Sequence, residues 1–190
     1  ADGTVILRAD ADGNAGGSGG ALTMSDGSSV NSGSGTITLS ADEDIAVSRL
    51  VTTNDTAQAV AITSTSGAVL DAGDTGGADI FATDAVLTVA TAAGIGTAEN
   101  PLETDIGTLV ATVTGSGVVN LVEIDAITLT NVTTADGSIT VDSGGPLTAT
   151  LVDSSAIDDD TNEISLTTTS GGIAVVAINA GSKNDVTLNA

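Results

Sequence analysis

Cysteine, histidine, tryptophan and tyrosine are absent from the 190 residues, and Phe81 is the single aromatic side chain. Each absence excludes something. Without histidine, a nucleophilic triad of the usual form cannot be assembled. Without tryptophan or tyrosine, no broad ring stacks on a sugar, and a core cannot draw its burial from aromatics. Zero cysteine leaves the fold without disulfides and suits an extracellular bacterial protein. Positive charge is nearly missing as well. Arg8, Arg49 and Lys183 stand against 25 acidic residues, a net charge of -22. Such a chain repels nucleic acid and anionic membranes and attracts cations. No apolar run approaches the roughly 20 residues that span a bilayer, so membrane insertion is not expected. The chain opens Ala1-Asp2-Gly3 without a leader pattern. Export is therefore expected to be encoded outside these residues.

What is present is glycine and small aliphatics. There are 24 glycines, the hydrophobic fraction is 41%, and the mean hydropathy is +0.34. That is too apolar for a disordered segment. The interior must be built from Val, Ile, Leu and Ala in thin layers. The stretch Gly94 to Thr130 shows how. Gly94, Gly96, Pro101, Gly107, Gly115 and Gly117 break it into short runs of Val, Ile, Leu and Thr. Glycine admits the positive φ angles of tight corners, and β-branched residues suit a pleated, half-buried surface. The reading is strand, corner, strand, corner. The same alternation recurs at Thr4 to Arg8, Gly35 to Ser40, Ala61 to Thr63, Ala85 to Val89, Ser138 to Val141, Glu163 to Leu166, Gly172 to Val175 and Asp185 to Leu188. No stretch carries helical periodicity with caps.

Two apolar ladders run through these strands. One is Ile37, Ile62, Leu87, Leu109, Leu129, Leu151, Ile173; the other is Val47, Val69, Ile95, Val119, Val141, Ile164, Val186. Their steps of about 20 to 26 residues are those of solenoid coils. The expected fold is all-β: a β-solenoid, a right-handed parallel β-helix with coils of roughly 20–25 residues, forming one segment over 1–190. A tandem of β-sandwich modules is the rival, and it prefers bulky aromatic cores.

The phrase Ile95-Gly96-Thr97-Ala98-Glu99-Asn100-Pro101-Leu102-Glu103-Thr104, followed by Gly107-Thr108-Leu109-Val110-Ala111, resembles a recurrent segment of very large bacterial exoproteins. These are the filamentous-haemagglutinin-like and autotransporter-like adhesins. The close resemblance covers about a fifth of the chain, and the rest is similar in composition and rhythm. It implies a parallel β-helix, secretion and attachment to the cell surface.

Candidate chemistry is confined to acidic corners. Asp10, Asp12 and Asn14 place oxygens at alternate positions beside Gly13, part of a calcium-loop pattern without the closing Glu. Asp158, Asp159 and Asp160 head the longest acidic run. These six are the candidate Ca²⁺ ligands, and Ca²⁺ is the cofactor that such corners would take. Asp71-Ala72-Gly73-Asp74 and Asp42-Glu43-Asp44 are weaker. Gly76 to Phe81 is similar to the glycine–aspartate nonapeptide that binds calcium, but it occurs once, and that site needs stacked copies. The plain alternative is that Asp favours turns and keeps a solenoid soluble. Thr-x-Thr pairs such as Thr36/Thr38 and Thr128/Thr130 point along one strand face, like the array of an ice-binding solenoid, yet Thr is also the ordinary outward strand residue. Catalysis is not expected, although β-helices host glycan-processing enzymes that work with paired carboxylates.

The expected role is therefore structural, in a bacterial surface filament or large adhesin. The expected partners are further repeats or copies of the chain, stacked head to tail. The two ends, Asn184 to Ala190 and Ala1 to Leu7, read consecutively as more of the same repeat. The dense negative charge is expected to keep such filaments thin and dispersed at low salt. A calcium-dependent or ice-binding module and a glycan-processing enzyme are the alternatives.

Overall fold

Short β-branched runs broken by glycine leave each strand one apolar face and no partner within its own coil. They pair with the coils before and after instead. The computed structural model describes residues 3–10, 20–75, 77–158 and 160–190, without the Asp84 side chain. Among the described residues there are nineteen strands and no helix. Every pairing between named strands is parallel. The result is a β-solenoid of about seven turns.

The coils begin with three faces. On the first, Val5–Arg8, Ile37–Ala41 and Val60–Ser64 stack in order, followed by the C-terminal half of Ile80–Thr91. The second carries Leu22–Thr23, Ile45–Val47 and Val69–Asp71. The third carries Ser29–Asn31, Arg49–Val51 and the N-terminal half of Ile80–Thr91. Strand residues alternate between inside and outside, so each face lines the interior with rows. The row on the first face runs Val5, Ile37, Val60, Leu87, Leu109, Leu129, Ala149, Val175. On the second it runs Leu22, Ile45, Val69, Ile95, Val119, Ile139, Ile164, Val186. From Ile37 to Ala149 and from Ile45 to Ile164 these residues are fully buried. Each large aliphatic side chain gains about 1.5–3 kcal/mol from that burial.

The register corrects both ladders. Ile62 pairs with Leu39, and Ile37 with Val60. On the second face Ile45 and Ile139 hold the places assigned to Val47 and Val141, two residues away in each case. Leu151 is half-buried and lies outside any strand, because the bend at Leu129 and Val110 shifts the stack and gives its place to Ala149. Ile173 is on a strand but only half-buried, since it belongs to the last described coil.

The stretch from Gly94 to Glu123 is where the cross-section changes. Val119–Glu123 pairs through Val119 with Ile95 on the second face and through Leu121 to Glu123 with Leu102–Thr104 on the third. One strand thus stacks on two faces, and in the later coils it is followed by two short strands, Leu147–Ala149 and Val152–Asp153, that stack on the two parts of Ile127–Thr134. The corner from Gly96 to Pro101 absorbs the difference by looping outward. Gly96 has φ +60°, and a Cβ there would collide with the Asn120 carbonyl oxygen and the Leu102 nitrogen, so this corner requires glycine.

Where faces meet, buried hydroxyls turn the chain. Ser32, Ser64 and Thr134 each lie three residues before a glycine and bond to the corner they open. Ser32 Oγ donates to the Gly35 carbonyl at 2.8 Å, and Thr134 Oγ1 to the Gly137 carbonyl at 2.5 Å. Ser64 Oγ donates to the Glu43 carbonyl and accepts from the Gly67 N–H, at 2.8 and 2.9 Å. Thr91 Oγ1 donates to the Gly67 carbonyl of the coil before. These bonds satisfy corner groups that the strands leave unpaired.

Candidate functional site

The interior stops being apolar on one row. Val30, Leu50 and Ile80 are followed in register by Thr104, Glu123, Ser143 and Thr168, all buried. At the join of the second and third faces, beside this row, lies an acidic corner. Asp71 sits in register with Val47, which is fully buried, so strand alternation turns its carboxylate inward. It is 9% exposed. Its Oδ1 accepts the Gly73 N–H at 2.6 Å, while its buried Oδ2 has no hydrogen-bond partner among the described residues. Glu103 contributes a second buried oxygen, Oε2, in the same condition. Asp74 comes from the exposed turn between them. Asp71, Asp74 and Glu103 each bring an oxygen to within 4.8 Å of the other two.

Asp79 backs the group. It is 1% exposed, its main chain donates to the Glu103 carbonyl at 2.9 Å, and its Oδ2 accepts the Glu103 N–H at 3.3 Å. Burial, then the Asp71 charge, push its carboxyl up to about 8 against the pull of the Glu103 N–H, with the Glu103 charge and side-chain bond adding to the rise. Glu103 is raised by burial and by the charges of Asp71 and Asp74, while its bond to Asp79 lowers it. The turn itself is held from two coils before: Asp26 accepts the Thr75 N–H at 3.1 Å and the Thr75 hydroxyl at 2.7 Å.

A second trio, Asp105, Glu123 and Asp125, is equally close, but its central oxygens are already used. Glu123 accepts from Thr104 Oγ1 at 2.7 Å, from the Ile106 N–H at 3.2 Å and from the Ile124 N–H at 3.0 Å. Burial raises its carboxyl to about 8, against the bonds from Thr104, Ile106 and Asp125 that lower it. Its work is to satisfy backbone donors where two strands part.

The residues named from sequence fall elsewhere. Asp12, Asn14 and Asp159 lie outside the described residues. Asp10 has φ +61° and borders a shallow cleft with Ser40, Asp42 and Thr63. Asp158 is exposed and clips the next coil. It accepts from Ser182 Oγ at 2.5 Å, from the Ser182 N–H at 3.0 Å and from the Lys183 N–H at 3.2 Å. The Ser182 hydroxyl above all lowers its carboxyl, with the main chain and the Lys183 charge in support. Asp160 is exposed. The outward threonines form one column, Thr108, Thr128 and Thr148, which continues into Val86 and Ala174.

A different feature lies on the last described coil. Val186, Leu188 and Val175 continue the rows of Ile164, Leu166 and Ala149, which are fully buried. They are instead 45%, 45% and 47% exposed. The strand Val186–Asn189 pairs on one side only among the described residues. No family model, curated protein or solved structure matches the chain.

Proposed function

We propose that this chain is a structural, non-enzymatic segment of an extracellular bacterial surface filament or large adhesin of the filamentous-haemagglutinin-like or autotransporter-like kind, lengthened by axial stacking of coils. The observation that carries this reading is the parallel stack itself, whose interior rows pass from coil to coil, as Leu87, Leu109 and Leu129 do. Such a stack can be lengthened by a further coil, from a repeat or from a second copy, that continues the parallel ladder at about 4.8 Å spacing. Head-to-tail contacts of this kind do not close, so they build filaments. The net charge of -22 opposes lateral association. Electron microscopy of the purified chain across a concentration series tests the reading. Thin, unbranched threads that lengthen with concentration support it. Uniform single particles at every concentration contradict it.

A further inference from the structure

We infer that Asp71, Asp74 and Glu103 form a binding site for one hard divalent cation, calcium in the first instance, at the corner where the second and third faces meet. The argument begins with register. Asp71 occupies an interior place that Val47 fills in the neighbouring coil. An inward carboxylate in that row has lost its water, and burying a charge is costly unless something compensates it. Its Oδ2 finds no donor among the described residues, nor does the buried Oε2 of Glu103. Two buried carboxylate oxygens without a hydrogen-bond donor at one corner are a demand that a cation meets.

The remaining parts fit the same occupant. Asp74 adds a third oxygen from the solvent side, which gives the ion a way in. The three oxygens lie within 4.8 Å of one another, a spread that an ion with oxygen contacts of about 2.3–2.6 Å bridges. All the ligands are carboxylates, the preference of a hard cation; the chain has no cysteine or histidine, the ligands that favour transition metals. Asp79 exchanges hydrogen bonds with the Glu103 main chain and so pins the strand that carries this ligand from behind. Asp26 and Gly73, at φ +135°, fix the turn that carries Asp74. The site stands whether or not the chain stacks into filaments, and it ties three separate coils of the chain, through Asp26, Asp71 and Glu103, to one ion.

The test uses the full chain and calcium chloride alone, at fixed ionic strength. Calorimetric titration and the melting temperature are read for the wild type, D71V, D74N and D158N. The wild type binds calcium saturably at a single site and melts higher in its presence. D74N, an exposed change that leaves the fold intact, loses affinity by at least about tenfold. D71V restores the apolar row, melts higher than the wild type without calcium, and no longer responds to it. D158N behaves as wild type. Binding that survives both D74N and D71V, binding that only D158N removes, or no saturable binding to the wild type, overturns the assignment.

Discussion

The Glu123 carboxylate takes the main-chain N–H of Ile106, 3.2 Å away, at the point where the strand Leu102–Val113 runs on and the strand Val119–Glu123 ends. In a solenoid each backbone donor belongs to the next coil. Where the single strand Val119–Glu123 takes over from two faces, one donor is left over, and an inward glutamate supplies the missing acceptor. The Thr104 hydroxyl completes the arrangement. It donates to Glu123 at 2.7 Å and lies 3.4 Å from the Val122 carbonyl.

This gives stability a pH dependence of definite sign. Glu123 titrates near 4.5 when unfolded and is raised to about 8 when folded. Between those values the native state keeps a proton that the unfolded state has lost. Its contribution is complete below the unfolded value and disappears as pH rises towards 8, at about 1.4 kcal/mol per pH unit. Chemical denaturation from pH 5 to pH 8 should show stability falling. In E123Q the side chain no longer titrates while its oxygen still accepts from Ile106, so the slope flattens by this share. Equal slopes in the two proteins would contradict the assignment.

The interior rows make a second prediction. L129A opens a cavity in a fully buried row and should cost about 2–5 kcal/mol. L151A removes a half-buried side chain from outside the strands and should cost far less. Denaturant midpoints decide between this register and the original ladder, which gives the two residues equal weight.

That contrast shows how much the sequence disclosed. Val69, Ile95, Val119, Ile164 and Val186 were legible as one row because each is a β-branched residue at coil spacing. Val47 and Val141 were misplaced by two because alternate residues of one strand face the same way, and periodicity cannot choose between them. The place of Ala149 was hidden by the bend at Leu129, which no residue type announces. The corners carried a readable signal that composition obscured: a Ser or Thr three residues before glycine, as at Ser32, Ser64, Thr91 and Thr134. The acidic corner was legible only in part. Asp71 and Asp74 stood out as a pair, but Glu103 joins them through the stacking of coils, which sequence distance conceals.

The corner hydroxyls yield a third prediction. T134V keeps the shape and removes the donor to the Gly137 carbonyl. An unsatisfied buried acceptor costs about 1–3 kcal/mol, so the midpoint should fall accordingly. T133V, on the neighbouring half-buried outward position, serves as the control. If the two variants match, the corner bond contributes nothing particular.

The proposed axial stacking covers side chains that face solvent, and charging them should cost the coil little while blocking its partner. Sedimentation velocity of the wild type and of L188D, at equal concentration and fixed moderate salt, is the most direct measurement. The account predicts long, concentration-dependent species for the wild type and monomers for L188D, with the same β-sheet circular dichroism in both. A wild-type chain that sediments as a monomer, or an L188D chain that assembles as the wild type does, would contradict it.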